Sequence, residues 1–323
     1  MKKILVTGAT GFIGHPVCRA LIKSGRSVTG AVRSISSSLI KSEVEYVSVG
    51  DISLKTSWKD ILAGIDCIVH CAGRVHKMSK NQDFDLYNLI NKEGTRNLAE
   101  QAAEAGVKRL IFLSSMKVNG ESTKNKFDKI NSNNQLKEIF SHTDIPNPSD
   151  SYSISKFEAE KALRNISNKT GLEVVVIRLP LVYGYSAPAN LERLINLISS
   201  RLPLPFSLVN NKRSLIGIDN LVDVILRCID HPKAKNKTFL VSDDKDLSTP
   251  DLIKLIATAM GQPVRLFPVP ISWLKFFGFL IGRQSDIDRL TGSLQVDIEY
   301  TKKILDWKPS VNVHEGFKRM FNC

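Results

Sequence analysis

The stretch Gly8-Ala9-Thr10-Gly11-Phe12-Ile13-Gly14 follows an apolar run, residues 4–7, and leads into an amphipathic segment, residues 12–23. This pattern predicts a strand that turns sharply into a helix. Glycines at such a turn leave backbone N–H groups uncovered at the helix start, where the helix dipole favours an anion. We therefore expect a phosphate group to bind against Gly8, Thr10, Gly11, Phe12, Ile13 and Gly14.

Short apolar runs alternate with helical patterns along the first part of the chain. Apolar strands separated by helices are typical of a parallel sheet that helices cover on both faces. The fold class is therefore predicted as α/β, a doubly wound parallel Rossmann-type sheet with a smaller α/β substrate lobe. The strand runs are residues 4–7, 28–32, 44–49, 67–71, 110–113 and 174–179, and the helical patterns are 12–23, 58–62, 86–105 and 152–165.

The alternation loosens after Pro180, where prolines become more frequent. Short strand patterns at 214–218 and 238–241 are expected to return to the sheet, and helical patterns follow at 249–260 and 271–281. We expect two units, a dinucleotide-binding domain and a smaller substrate-binding lobe. The first would comprise residues 1–178 plus about 213–245, and the second about 179–212 plus 246–323.

The composition is that of a globular protein, with 42% hydrophobic and 24% charged residues among 323. The formal net charge of +13 favours anionic ligands such as phosphorylated cofactors. The basic residues are spread along the chain, and no zinc-finger spacing occurs. We therefore expect neither a nucleic-acid partner nor a metal site.

The cysteines bear on the cellular compartment. They show no paired spacing, and no secretory leader precedes the first strand, so we expect a cytoplasmic protein with reduced thiols. They are Cys18, Cys67, Cys71, Cys228 and Cys323.

The apolar stretch 273–281 is interrupted by Lys275 and is too short to span a bilayer. No transmembrane segment is therefore expected. The stretch is interpreted as a core or interface helix, and a weak contact with a membrane surface is left open.

Tyr152 and Lys156 lie four residues apart in a helical pattern, so both side chains occupy one face of the helix. A phenol beside an ammonium can exchange a proton near neutral pH. The same spacing occurs on ordinary amphipathic helices, and the glycine turn at 8–14 is what makes the pair a candidate acid/base site. The polar stretch 120–150 is expected to form a loop over that site.

The end of the second strand bears on the identity of a dinucleotide. An Asp or Glu there would bind the ribose 2′-hydroxyl, but the strand ends at Arg33, which could pair with a 2′-phosphate. NADP(H) is therefore predicted over NAD(H), with a solvated surface arginine as the alternative interpretation. The next two strands are expected to end beside the adenine, at Asp51 and Ile52, and along the path to the nicotinamide, at His70, Cys71, Ala72 and Gly73.

With the turn at 8–14, the stretch 70–73, Leu113-Ser114-Ser115 and the stretch 152–156 in this order, the chain resembles the extended short-chain dehydrogenase/reductases. The likeness is to their NAD-dependent epimerase/dehydratase family and covers nearly the whole chain. Later matches are RLPLVYG at 178–184, RSLIGID at 213–219 and LDWKP at 305–309, where Asp306 replaces the family's glycine.

The resemblance implies three catalytic residues. Ser115 would hold the substrate oxygen, Tyr152 would exchange a proton with it, and Lys156 would bind the nicotinamide ribose and stabilise tyrosinate. Ser114 is the alternative to Ser115 as the substrate ligand.

The resemblance also implies a UDP-sugar substrate, bound by the smaller lobe. Arg213 and Arg289 are the candidates for its diphosphate, and Asn190 is the candidate for a contact with the nucleotide. A homodimer through two helices of the cofactor domain is typical of the family.

Sugar-nucleotide dehydratases of this family carry an Asp-Glu pair directly after the catalytic Ser or Thr. Here those positions are Met116 and Lys117, so water elimination lacks its acid. The run 113–121 is similar to the branch of UDP-hexose 4-epimerases and of reductases of UDP-4-keto-6-deoxy-N-acetylhexosamines.

Arg33 favours the reductase of this branch. The main hypothesis is therefore NAD(P)H-dependent reduction of the C4 ketone of such a sugar, for surface-polysaccharide synthesis. The alternative is a UDP-glucose or UDP-N-acetylglucosamine 4-epimerase with bound NAD. A third, remote alternative is a cofactor-sensing protein without turnover.

Overall fold

The structure, a computed structural model, describes residues 2–39, 42–75, 83–123, 138–187 and 190–321. A parallel sheet of seven strands organises these residues. Its strands are β1 (Lys3–Thr7), β2 (Ser27–Val32), β3 (Glu45–Ser48), β4 (Cys67–His70), β5 (Arg109–Ser115), β6 (Glu173–Leu179) and β9 (Thr238–Leu240). Two further strands, β7 (Leu181–Tyr183) and β8 (Leu215–Gly217), pair with each other.

The strand order in the main sheet is β3-β2-β1-β4-β5-β6-β9, and every neighbouring pair is parallel. The order reverses between β1 and β4, which leaves a crevice beyond their carboxyl ends. Ligands of doubly wound sheets bind at such a reversal. The glycine turn that follows β1 and the stretch that follows β4 therefore lie together.

Helices cover both faces of this sheet. One hydrophobic core joins Ile4 and Val6 to helices on one face, and another joins Leu5 to helices on the opposite face. The predicted doubly wound α/β fold is confirmed. The helices are α1 (Gly14–Lys23), α2 (Asp83–Tyr87), a π-helical turn (Asn88–Gly94), α3 (Thr95–Glu104), α4 (Ser151–Thr170), α5 (Asn190–Ser199), α6 (Ile218–Asp230), α7 (Thr249–Ala259), α8 (Ile271–Leu280), α9 (Gln284–Thr291), α10 (Glu299–Leu305) and α11 (Val313–Phe321).

A third core lies outside the sheet. It packs β7 and β8 against α5, α7, α8 and α11 and contains Tyr183, which stacks on Phe317 with the ring centroids 4.1 Å apart. The residue bounds of the two expected domains stay a prediction.

Two local predictions were wrong. The strand predicted at 214–218 does not join the main sheet, because β8 pairs with β7, where the Tyr183 hydroxyl and the Gly217 N–H both bind the Asp243 carboxylate. The helix predicted at 58–62 is a single turn, since its one backbone bond, Leu62 N–H to Trp58 O, is soon followed by Gly64, whose φ is +72°. Of the predicted loop 120–150, residues 124–137 lie outside the described residues.

Candidate active site

The glycine turn after β1 is packed too tightly for side chains. A Cβ on Gly14 would lie 2.1 Å from the carbonyl oxygen of Gly8. Gly8 has a φ of +65°, and a Cβ there would lie 3.0 Å from the backbone of Ala72. The turn thus requires glycine at both positions and brings β1 against the stretch that follows β4.

The turn offers backbone donors to a ligand. Helix α1 begins without a side-chain cap. Within the described parts of the chain, the N–H groups of Phe12 and Ile13 donate to no protein acceptor. Free N–H groups at a helix start bind phosphate oxygens, so these residues fit the pyrophosphate of a dinucleotide.

A buried histidine fastens the β4 turn to β1. His70 Nδ1 lies 2.7 Å from Thr7 Oγ1, which also accepts a hydrogen bond from Ala72 N–H at 3.1 Å. The other ring nitrogen lies 2.9 Å from Thr95 Oγ1. Burial, with a smaller effect of the Lys156 charge, lowers the pKa of His70 to about 3, so the ring is neutral. His70 is therefore a positioning residue for the turn at 71–73.

Lys156 projects from α4 towards that turn. Its Nζ donates to Leu113 O at 2.9 Å, lies 4.5 Å from the centroid of Phe112, and would be 3.2 Å from a Cβ on Gly73. Burial lowers the pKa of Lys156 to about 8. Because an ammonium has three donors, Lys156 keeps bonding capacity next to Gly73, where a nicotinamide ribose is expected.

Tyr152 and Ser115 form the second half of the site. Their side chains are hydrogen-bonded, and this bond opposes the effect of burial, which raises the pKa of Tyr152 to about 12. Asp150 caps α4 and accepts from Ser153 N–H at 2.7 Å, which fixes the helical turn that carries Tyr152. The resemblance implies that Lys156 lowers the pKa of Tyr152. That effect stays a prediction for the cofactor-bound protein.

The two serines at the end of β5 have different partners. Ser114 Oγ donates to Glu160 Oε1 at 2.6 Å, and Glu160 forms a buried ion pair with Arg178, whose Nη2 lies 2.6 Å from Oε2. Ser115 instead lies with Tyr152. Because the hydroxyl of Ser114 is already hydrogen-bonded to Glu160, Ser115 is favoured as the substrate ligand.

The sequence interpretation missed Asn91, which lies in the π-helical turn. Its Nδ2 donates to Ser155 Oγ at 3.0 Å and to Arg74 O at 3.1 Å, and its Oδ1 accepts from Arg74 N–H at 2.8 Å. Asn91 thus ties the chain after Gly73 to the helix that carries the catalytic candidates. The available signal was a set of polar or small residues on a buried helix face, Asn91, Gly94 and Thr95.

The residues expected around the adenosine lie at the same sheet edge. Arg33 directly follows β2 and is exposed. Asp51 is exposed beyond β3, and Ile52 packs so closely that a Cβ on Gly94 would lie 2.7 Å from its Cγ2. Their contacts with a cofactor stay a prediction.

The two predicted diphosphate ligands come together beside α9. Arg213 Nη1 donates to Arg289 O at 2.8 Å and to Gly292 O at 3.1 Å. Burial, and next the Arg289 charge, lower the pKa of Arg213. Two neighbouring cations suit an anionic ligand. Asn190 begins α5, and its side chain lies outside the described residues.

Comparisons with known proteins agree with this geometry. Residues 4–242 match the NAD dependent epimerase/dehydratase family. The chain is 44% identical over 322 residues to a UDP-glucose 4-epimerase of Vibrio cholerae. The aligned region covers 98% of this chain and 94% of that protein. It is 24% identical over 293 residues, 90% of this chain and 81% of that protein, to the N-acetyl-alpha-D-glucosaminyl-diphospho-ditrans,octacis-undecaprenol 4-epimerase of Escherichia coli O157:H7.

Among solved structures, the UDP-glucuronic acid 4-epimerase of Bacillus cereus in complex with NAD superposes with a TM-score of 0.77 at 22% identity, covering 99% of this chain and 97% of that one. The UDP-glucose 4-epimerase of Thermotoga maritima with UDP-glucose also gives 0.77, at 21% identity and with the same coverage. These likenesses show the fold.

The chain belongs to the NAD dependent epimerase/dehydratase family. It is an NAD(P)-dependent enzyme of nucleotide sugars. Within that class, the comparisons favour the 4-epimerase, the alternative of the sequence interpretation, over the 4-ketoreductase that was its main hypothesis.

Proposed function

We propose that this chain is a UDP-hexose 4-epimerase that works with bound NAD and interconverts UDP-glucose and UDP-galactose. The 44% identity to a UDP-glucose 4-epimerase over nearly the whole chain carries this choice within the family. UDP-N-acetylglucosamine is the second substrate of the same proposal, because both sugars present the same C4 hydroxyl.

The site residues suit an exchange at C4. Bound NAD would supply reversible hydride transfer at that carbon. The Tyr152 hydroxyl, bonded to Ser115, would move the proton of the C4 hydroxyl, while Ser115 would hold the sugar oxygen. The Lys156 ammonium lies between the β4 turn and Leu113 O, and in the cofactor-bound protein its charge would favour tyrosinate.

The structure around Ser115 argues against water elimination. Met116 is buried, and Lys117 contacts Asp150 at 2.6 Å and Glu121 at 3.0 Å. An apolar residue and a cation therefore occupy the two positions after Ser115, where a dehydratase carries two carboxylates.

We propose NAD in preference to NADP. Solved structures of the same fold hold NAD, and the predicted preference for NADP, which depended on Arg33, has no support from the comparisons. Arg33→Ala tests the assignment: if Arg33 is a surface residue, the Kd for NAD stays within about threefold, whereas a 2′-phosphate contact would cost NADP binding about tenfold or more. Isothermal titration with both dinucleotides gives the answer.

The remaining parts of the proposal come from the family resemblance. Arg213, Arg289 and Asn190 would contact the UDP moiety, and α3 and α4 would form a homodimer interface in a cytoplasmic protein. Arg213→Met should raise KM more than it lowers kcat, because the diphosphate is distant from the reacting carbon. Sedimentation velocity reports the oligomeric state.

The decisive experiment distinguishes the epimerase from the reductase. The dinucleotide released from purified protein is identified, and UDP-glucose is then assayed for conversion to UDP-galactose. In parallel, NADPH absorbance is followed with a UDP-4-keto-6-deoxy-N-acetylhexosamine. Retained NAD with epimer interconversion supports the proposal. Stoichiometric NADPH consumption without interconversion would overturn it in favour of the reductase.

A further inference from the structure

Helix α8 exposes an apolar surface to solvent. Trp273, Phe276, Phe277 and Leu280 are 61, 59, 51 and 60% exposed. They follow each other at the i, i+3, i+4, i+7 spacing of one helix face. Contiguous exposed apolar patches mark binding surfaces in folded proteins. We name this set, together with Phe279 and Ile281, the α8 patch; the last two are 67 and 70% exposed.

The patch is the outward side of a helix that is already packed. Leu274 is buried in the core of the smaller lobe. Gly278 lies so close to α9 that a Cβ there would be 2.7 Å from Ile287 Cγ1. Leu274 and Gly278 pack the inward face of α8 against the protein. The α8 patch is not part of that packing and can contact another surface.

The stretch of sequence that carries α8 contains cations and no carboxylates. From residue 252 to residue 285 there is no Asp or Glu, whereas Lys254, Arg265, Lys275 and Arg283 all fall within it. Lys275 and Arg283 also approach two α9 carboxylates, at 3.7 and 3.3 Å, but exposed pairs of this kind are weak. With this stretch and a formal net charge of +13 for the chain, an anionic surface is the electrostatically favoured partner.

We propose that α8 docks this enzyme on the surface of an anionic lipid bilayer. Trp and Phe side chains with flanking Lys and Arg are the composition of helices that lie in the membrane interface. The aromatic side chains would enter the boundary between headgroups and acyl chains, and the cations would meet lipid phosphates. In the described parts of the chain, no helix has the length and apolarity needed to cross a membrane, so the contact would be peripheral.

Docking at this place has a consequence for the site. α8 packs on α9, which carries Arg289 and, through its backbone, holds Arg213. The lobe expected to bind the substrate would therefore face the bilayer. The docking itself does not depend on which sugar the enzyme converts.

Trp273 supplies a direct probe of docking. The chain has three tryptophans, and the other two, Trp58 and Trp307, are 0 and 6% exposed. Full-length protein is titrated with vesicles of phosphatidylcholine and of phosphatidylcholine with phosphatidylglycerol, with and without brominated acyl chains. We expect a blue shift and bromine quenching with the anionic vesicles only, which weaken as salt is raised from about 50 to 500 mM.

The variant Phe276→Ser/Leu280→Ser tests the patch and keeps the probe. Vesicle affinity should fall at least about tenfold, because two apolar side chains lose their burial in the membrane. Ile145→Ser is the matched control, since Ile145 is 87% exposed in another part of the chain; its affinity should stay unchanged. Thermal melting and retained dinucleotide show that both variants are folded.

Two results would overturn the proposal. One is the absence of quenching and cosedimentation with anionic vesicles at low salt. The other is wild-type self-association by sedimentation velocity that the double variant abolishes, with no vesicle binding by either protein, which would make the patch an interface between copies.

Discussion

Two buried cations, Lys156 and Arg178, differ in their partners although both lie beside β5. Arg178 meets both oxygens of Glu160, at 3.0 and 2.6 Å, and donates to Asn119 at 2.8 Å. Lys156 donates to a neutral carbonyl, Leu113 O, and burial lowers its pKa to about 8. Arg178 thus has a carboxylate bonded through two nitrogens, whereas Lys156, which no carboxylate of the described residues bonds, keeps N–H donors for a ligand.

Glu160 shows how this difference arises. It lies four residues after Lys156 on α4, at a spacing that suits a helical ion pair. Its oxygens are instead occupied by Arg178 from β6 and Ser114 from β5. The strand neighbours thus bind the carboxylate, and Lys156 has no hydrogen bond to a carboxylate among the described residues.

Tyr152→Phe, a change on the helix that carries Lys156, should give the largest effect on turnover. Turnover is expected to fall roughly 1,000-fold, because the variant lacks the proposed proton-transfer group. Melting temperature and bound dinucleotide should stay unchanged. Tyr87→Phe is the matched control, since that ring packs 6.0 Å from Tyr152, and its turnover should fall less than about tenfold. A similar fall in both variants would contradict the assignment.

Glu160→Gln tests the paired cation. The free energy of unfolding should fall by about 3–5 kcal/mol, since Arg178 is left buried without its counter-charge. Urea unfolding measures this. The double variant Glu160→Met/Arg178→Met should recover more than half of the loss, because it removes both charges. A loss below about 1 kcal/mol for the single variant would show that the pair is not structural.

Lys156→Met should lower turnover less than Tyr152→Phe does and yet stabilise the protein at pH 7. The pKa of Lys156 is about 8 in the folded chain and 10.5 ordinarily, so at pH 7 both states hold the proton and the folded one bears a buried charge. Burial disfavours that charge, and the variant should be more stable by about 2 kcal/mol after allowing for the lost bond to Leu113 O.

The pH dependence provides the check. Between pH 8 and 10.5 the folded wild type has released the proton that the unfolded chain still binds, so its stability rises with pH. The advantage of the methionine variant should therefore shrink across this range and vanish near its upper end. An advantage that is constant from pH 7 to about 10.5 would mean that the lysine charge is not its cause.

The adjacent serines give the smallest effects. Ser114→Ala should lower the free energy of unfolding by about 1 kcal/mol, because Arg178 keeps its own bond to the same Glu160 oxygen. Its turnover should change little. Ser115→Ala should lower turnover about tenfold or more, since its hydroxyl bonds Tyr152. It should also lower the free energy of unfolding by up to about 1 kcal/mol, because the same hydroxyl accepts a long bond, 3.3 Å, from a backbone N–H two residues on. The reverse pattern would exchange their roles.

Much of the fold was predictable. The six apolar runs of the first part of the chain all became strands of the main sheet, because near-continuous β-branched and apolar runs suit a sheet buried on both faces. The strand at 214–218 exists too, but its partner is β7. Strand pairing depends on contacts such as that of Asp243 with Tyr183, which no local pattern encodes.

The candidate site was predictable where its signals are local. The glycine turn and the Tyr152–Lys156 face follow from spacing alone. Asn91 was missed because its function depends on two distant groups, Ser155 Oγ and Arg74 O. The choice between reductase and epimerase depended on Arg33, an exposed residue whose partner would be a cofactor rather than the protein.

The sequence by itself determined the alternation of strands and helices, the glycine turn and the position of the candidate acid/base pair, because backbone sterics and side-chain periodicity are local. Only the tertiary structure decided which serine faces Tyr152, which cation lacks a carboxylate and which face of α8 points outward. These features depend on neighbours from distant strands and helices, whose packing fixes burial and thereby the pKa of Lys156 and the exposure of Trp273.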